Sequence, residues 1–147
     1  MSPSPLAVVV LAAGAGTRMN SATPKVLHPL AGVPLIGHVL ATAEALQPET
    51  VVVVVRHEAE RVEAAVSELS DIAVIAHQDD IPGTGRAVEV ALEHIPEAAG
   101  EVVIVSADVP LLDAATLDAL VGLHQESGAG VTLLSTVLDD PTGYGRI

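Results

Sequence analysis

The chain has 147 residues, half of them hydrophobic, and a formal net charge of −13. This acidic balance argues against nucleic-acid binding, which requires a basic surface, and the absence of cysteine excludes disulfides and Cys-ligated metal sites. No apolar run reaches the ~20 residues that cross a bilayer, and the N-terminus lacks the charged start and cleavage site of a signal peptide. A cytoplasmic domain with a core of small aliphatic side chains is therefore expected.

Five short apolar runs predict the strands of a sheet. They are Leu6–Ala12, Thr50–Val55, Ile72–Ala76, Glu101–Ser106 and Val131–Val137. Because these runs are almost continuously Val, Ile and Ala, they indicate strands that are buried on both faces, as in a parallel sheet.

Apolar residues at helical spacing predict four helices between the strands. Their stripes span Leu35–Ala43, Val62–Leu69, Ala87–Leu92 and a segment from Leu117 that has Asp113 as its N-cap. This alternation favours an open, mostly parallel α/β sheet with right-handed crossovers and helices on both faces.

The first strand leads into a long loop that is rich in glycine. It reaches the first helix after about twenty residues, far more than the usual ~2–6 of a βα connection. The loop contains Gly14 and two of the six cations of the chain, Arg18 and Lys25, and no acid occurs in the first 43 residues. Glycine lets backbone N–H groups approach an anion, and the cations can neutralise phosphate. The loop is predicted to bind a phosphate-bearing small molecule, the alternative being a surface loop with unrelated cations.

Two widespread phosphate-binding motifs do not fit this loop. The stretch GAGTRM lacks the third glycine of G-x-G-x-x-G, and no acid follows at the ~20 residues expected for a ribose contact. The G-x-x-x-x-G-K-[ST] pattern of a P-loop is also absent from the sequence. A dinucleotide-binding fold and a P-loop enzyme are therefore disfavoured.

Two further loops end at the same predicted sheet edge. Gln78 carries the donor and acceptor atoms that reading a base requires, and Gly83 and Thr84 open a helix. From spacing alone, however, Gln78 is predicted to be a solvated loop residue and Thr84 a plain N-cap. Asp108, at the exit of the fourth strand, is typical of a Mg²⁺ ligand, the alternative being a turn Asp that bonds its own backbone.

Several motifs together resemble those of the sugar-1-phosphate nucleotidyltransferases. The stretches LAAGAGTRM, PKVLHPLAG, GTGRA, DVPLL and DDPTGYGRI are most similar to the GlmU family of N-acetylglucosamine-1-phosphate uridylyltransferases and glucosamine-1-phosphate acetyltransferases. The resemblance covers essentially the whole chain. It implies a Rossmann-like fold of the nucleotide-diphospho-sugar transferase type, with residues 1–147 as the N-terminal part of the uridylyltransferase domain. The domain is then incomplete at its C-terminus, and the β-helix acetyltransferase domain lies outside the chain.

The resemblance also implies a reaction. A phosphate oxygen of N-acetylglucosamine 1-phosphate attacks the α-phosphorus of UTP in a Mg²⁺-dependent transfer of UMP. The products are pyrophosphate and UDP-N-acetylglucosamine, a precursor of the bacterial cell wall. The implied partners are these two substrates and, through the C-terminal domain, two further copies in a homotrimer, without nucleic acid or membrane.

The resemblance assigns the site residue by residue. Arg18 and Lys25 are the catalytic cations, and Asp108 is the metal ligand. The nucleotide is bound by Leu11, Ala12, Ala13, Gly14, Arg18, Lys25, Gln78, Gly83 and Thr84. The sugar-phosphate substrate is bound by Ser106, Ala107, Asp108 and Gly145, although the family often has Tyr-Gly at the first two of these positions. The alternatives are a cytidylyltransferase, a molybdopterin guanylyltransferase, or a nucleotide-binding fragment without turnover.

Overall fold

A computed structural model of the chain describes residues 5–16, 19–97, 99–143 and 145. Their strands and helices follow one another along the chain as β1 (Leu6–Leu11), a 3₁₀ turn (Lys25–Leu27), β2 (Pro29–Leu30), β3 (Val33–Pro34), α1 (Leu35–Ala45), β4 (Thr50–Val55), α2 (Ala59–Leu69), β5 (Ala73–His77), α3 (Thr84–Leu92), β6 (Glu101–Ser106) and α4 (Ala114–Ser127). None of the helices in this described part is both long enough and apolar enough to span a membrane.

The central sheet has four parallel strands in the order β5-β4-β1-β6. The chain first adds strands on one side of β1 and then returns to its other side with β6. The strand order therefore reverses between β1 and β6, where Val9 pairs with Ile104. Ligands of open α/β sheets bind at such a reversal, beyond the carboxyl ends of the strands.

Successive valines of β1 and β4 face opposite sides of the sheet, so both sides have an apolar core. Val8 and Val10 pack with residues of α1, α2 and α4 on one side. Val9 packs with α3 on the other side. Burying each valine contributes roughly 1.5–3 kcal/mol. The predicted parallel sheet with helices on both faces is confirmed.

The fifth predicted strand, Val131–Val137, is not formed, although the structure describes the whole segment. Within the described chain it joins no sheet, and Val131 and Val137 are 74% and 99% exposed. β-Branched side chains favour a strand only where a neighbour pairs with the backbone and covers one face. Here β6 is the edge of the sheet, and the prediction for this segment was wrong.

The four helices are close to their predictions. Asp113 is the N-cap of α4, and its Oδ1 accepts a hydrogen bond from the N–H of Thr116 at 2.7 Å. In α3 the buried stripe is Ala87, Val90 and Ala91, whereas Leu92 is exposed. Ala87 and Ala91 of the predicted stripe are buried, whereas Val90 takes the place predicted for Val88 and Leu92.

Candidate functional site

A cleft of about 660 Å³ lies at the carboxyl ends of the four parallel strands. The segments after β1, β4, β5 and β6 all contribute to its walls, as expected for loops that leave one edge of a parallel sheet. Its lining residues are Leu11, Ala12, Ala13, Gly14, Ala15, Gly16, Met19, Lys25, Val26, Arg56, His57, Gln78, Gly83, Thr84, Ala87, Ser106 and Asp108.

The segment Ala13–Gly16 lines this cleft with its backbone N–H groups unpaired among the described residues. The N–H of Ala12 still donates to the carbonyl of Val54 at 2.8 Å, but no hydrogen bond joins the next four N–H groups to another described residue. Gly16 has a φ of +60°, and a Cβ built on it would lie 2.7 Å from the Cβ of Lys25. Glycine is therefore required for the close packing of this loop on Lys25, and consecutive free N–H groups can bind an anion.

Lys25 and Asp108 form an ion pair between the Nζ and Oδ2 atoms across the floor of the cleft. Their side chains are 39% and 30% exposed, so both remain open to a ligand. Partial burial raises the pKa of Asp108, but hydrogen bonds from Lys25 and Ser106 outweigh it and hold the pKa below its ordinary value. Asp108 is therefore an ionised carboxylate at the point where the strand order reverses.

The turn that carries Lys25 is held by one residue of α2 and by one residue of the loop itself. Arg61, on α2, donates from Nη1 to the carbonyl of Ala22 at 2.7 Å. His28 lies with its Nε2 at 3.2 Å from the carbonyl of Thr23. These contacts fix the approach of the chain to the 3₁₀ turn, and thus the position of the Lys25 side chain.

Gln78 is a buried residue, only 9% exposed, so its interpretation as a solvated loop residue was wrong. Its Nε2 donates to the carbonyls of Ile81 and Gly83 at 2.9 and 3.1 Å. No described residue donates to its Oε1. The amide is thereby held in one orientation, with its oxygen free to accept a hydrogen bond from a ligand.

The start of α3 also differs from its prediction. Gly83, with a φ of 121°, is the N-cap, and Thr84 is the first residue of the helix, so the N-cap prediction for Thr84 was wrong. Glycine alone adopts such a φ without strain. Thr84 is exposed and lines the cleft with its neighbour.

The four remaining predicted site residues differ in whether the structure places them at the cleft. Ser106 lines the cleft, but Ala107 is fully buried in the core and its N–H donates to the Leu11 carbonyl at 3.0 Å. Gly145 is not one of the residues that line the cleft. Arg18 lies outside the described residues.

Three arginines that carry no role in the sequence prediction contact the loops around the cleft. Arg61 holds the Lys25 turn, Arg56 donates to the carbonyl of Asp80 at 3.1 Å, and Arg86 binds Asp79. The chain has few cations, and Arg56 lies directly after a strand while Arg86 lies in the first turn of a helix. These positions are the sequence signal that could have identified both residues.

Comparison with known proteins identifies the family of the chain. A model described as the MobA-like NTP transferase domain matches residues 8–142. The bifunctional protein GlmU of Clavibacter sepedonicus is 60% identical over 147 residues, which cover 99% of this chain and 30% of that protein. The chain spans about 30% of the length of the curated relatives it matches. The resemblance to the GlmU family is confirmed.

Solved structures share the fold. Rv0371c from Mycobacterium tuberculosis superposes with a TM-score of 0.71 at 25% identity, over 86% of this chain and 63% of that one. A CMP:2-keto-3-deoxy-manno-octonic acid synthetase in complex with CTP gives a TM-score of 0.64 at 28% identity, over 86% of this chain and 49% of that one.

Proposed function

We propose that this chain, which belongs to the MobA-like NTP transferase domain family, forms the nucleotide-binding part of an N-acetylglucosamine-1-phosphate uridylyltransferase domain. Nucleotidyl transfer is the activity of this family. The choice of UTP and N-acetylglucosamine 1-phosphate rests on the similarity to GlmU. Acetyl transfer and trimer formation are proposed for residues outside this chain.

The observation that carries the proposal is the row of N–H groups at Ala13–Gly16, from which no other described residue accepts a hydrogen bond, beside Lys25 and Asp108. A triphosphate placed there would accept hydrogen bonds from the backbone and lose negative charge to Lys25. Nucleotidyl transfer depends on positioning and charge neutralisation, and it requires no nucleophile from the protein. We assign Arg18, two residues after Gly16, as a second cation of this site.

Asp108 fits the role of a ligand for a divalent cation such as Mg²⁺. Its carboxylate is ionised, partly exposed and directed at the cleft. Among the described residues no three His, Cys, Asp or Glu side chains cluster, which suits a cation that retains waters and shares phosphate oxygens. When bound, the cation would add positive charge at the phosphates, and Lys25 would exchange Asp108 for a phosphate oxygen.

The other walls of the cleft are assigned to the base and the sugar phosphate. The free Oε1 of Gln78 is an acceptor for the N3–H of uracil, and Gly83 and Thr84 lie beside it. Ser106 adjoins Asp108 at the cleft, and we assign it to the sugar phosphate. Gly145, which does not line the cleft, is assigned to the same substrate on the resemblance to the GlmU family alone.

The proposal is tested by measuring pyrophosphate release with each of UTP, CTP and GTP, with and without N-acetylglucosamine 1-phosphate. Release that requires both UTP and the sugar phosphate, with UDP-N-acetylglucosamine as product, is the expected result. Release with CTP instead would support the cytidylyltransferase alternative, which the likeness to the CTP-bound synthetase favours. UTP binding without release would support a nucleotide-binding module.

A further inference from the structure

Hydrogen bonds hold the loop Gln78–Gly83, which connects β5 to α3, at several of its residues. The Oδ1 of Asp79 accepts a hydrogen bond from the N–H of Ile81 at 3.1 Å. The carbonyl of Asp80 accepts from Arg56, and the carbonyls of Ile81 and Gly83 accept from Gln78. Four hydrogen bonds therefore hold the backbone of this short connection in one conformation.

Arg86 links this loop to the helix that follows it. Its Nε and Nη2 atoms donate to the Oδ2 of Asp79 at 3.0 and 2.7 Å, and its Nη1 donates to Glu89 at 3.1 Å. The hydrogen bond from Arg86 lowers the pKa of Asp79, and Asp79 in turn raises the pKa of Arg86. Neither Arg86 nor Asp79 lines the cleft, so both act on a ligand only through the loop.

The loop controls which atom Gln78 offers to a ligand. While the Ile81 and Gly83 carbonyls hold its Nε2, its Oε1 remains as an acceptor. An acceptor pairs with the N3–H of uracil and repels the unprotonated N3 of cytosine. If the loop loosens, the amide can rotate by half a turn and present its donor, which removes the distinction between the two bases.

We propose that Arg86 is a positioning residue that clamps Asp79, fixes the Gln78–Gly83 loop and thereby sets the preference of the cleft for a uracil over a cytosine nucleotide, an inference that rests on the proposed function. The test measures the dissociation constants of the purified protein for Mg²⁺-UTP and Mg²⁺-CTP. R86A is expected to reduce the ratio of CTP to UTP dissociation constants roughly tenfold or more, because a site built around one hydrogen-bond pattern loses its discrimination. R86K, which retains the charge without the fork, is expected to give an intermediate ratio.

The matched control is E89Q, which removes the negative charge from the other contact of Arg86 and leaves the clamp on Asp79 in place. Its ratio is expected to equal that of the unmodified protein. A general loss of folded protein lowers the binding-competent fraction equally for both nucleotides and leaves the ratio unchanged. Should R86A fail to fold, D79N removes the charge of the clamp at nearly constant size, and the same reduction is expected.

A measurement without nucleotide checks the clamp itself. In R86A the amide of Ile81, which donates to Asp79, is expected to exchange its hydrogen faster than in E89Q. If the unmodified protein prefers UTP and both R86A and D79N retain the full preference, the inference is overturned. The proposed function is then unaffected. An unmodified protein that binds neither nucleotide, or both equally, would contradict the proposed function and the inference together.

Discussion

Asp108 and Asp113 lie five positions apart in the sequence. Substitution of Asp108 is predicted to weaken nucleotide binding, and substitution of Asp113 is predicted to lower thermal stability. D108A removes the partner of Lys25 in the cleft, whereas D113A removes the N-cap of α4. Because the side chains of Lys25 and Asp108 are 39% and 30% exposed, the contribution of the pair to stability is discounted for solvent screening to about 0–1 kcal/mol. The melting temperature of D108A is then expected to fall by at most ~2–4 °C.

Nucleotide binding is expected to be weakened by D108A and unchanged in D113A. If Asp108 holds the cation, D108A loses an interaction between charged groups that is worth ~1.5–3 kcal/mol. This is roughly a 10–100-fold loss of affinity for Mg²⁺-UTP, with little change for UTP in the presence of a chelator. D113A is expected to bind Mg²⁺-UTP normally and to melt about 2–4 °C lower, because a helix loses its cap.

The assays are isothermal titration of both variants with UTP, with and without Mg²⁺, and thermal unfolding between neutral and acidic pH. The pKa of Asp108 is lower in the folded than in the unfolded protein, so its stabilisation is present above the ordinary carboxyl pKa. It is lost as the pH falls through the lowered value, and D108A is expected to lack this part of the acid dependence. Equal Mg²⁺ enhancement of UTP binding in D108A and in the unmodified protein would refute the assignment of Asp108.

Two further variants test the wall formed by the glycine loop. G16A is expected to lose ~1–2 kcal/mol of stability from the left-handed backbone, and more from its contact with the Lys25 Cβ, whereas G14A has no atom within 4 Å of an added Cβ and is expected to melt normally; equal melting temperatures would contradict this. K25A is expected to weaken transition-state stabilisation by ~2–4 kcal/mol with little change in melting temperature, measured as pyrophosphate release; a variant that unfolds but retains its specific activity would show that Lys25 is only structural.

The sequence was sufficient for strands that pair with a neighbouring strand of the sheet. Thr50–Val55 forms as predicted and is buried on both faces. Glu101–Ser106 also forms as predicted beside β1, although Val102 and Ile104 on its outer face are exposed. Val131–Val137 is also rich in apolar and β-branched side chains but has no neighbouring strand among the described residues, and composition does not reveal the presence of a partner.

Only part of the candidate site could be predicted from the sequence. The approach of Lys25 and Asp108, which are 83 positions apart, follows from strand order, since loops after parallel strands meet at one edge. The burial of Gln78 does not follow, because it depends on two carbonyls of its own loop and on a clamp from the next helix. The individual site assignments therefore remain predictions.

The central claim, that the backbone of Ala13–Gly16 receives the phosphates of a nucleotide, is tested most directly by amide NMR. Titration with Mg²⁺-UTP is expected to shift the four amide resonances of this segment at the lowest concentrations, together with that of Gly83, because these residues line the cleft. Inorganic pyrophosphate is expected to shift the Ala13–Gly16 amides without that of Gly83. Saturable UTP binding that leaves the Ala13–Gly16 resonances unmoved would contradict the account.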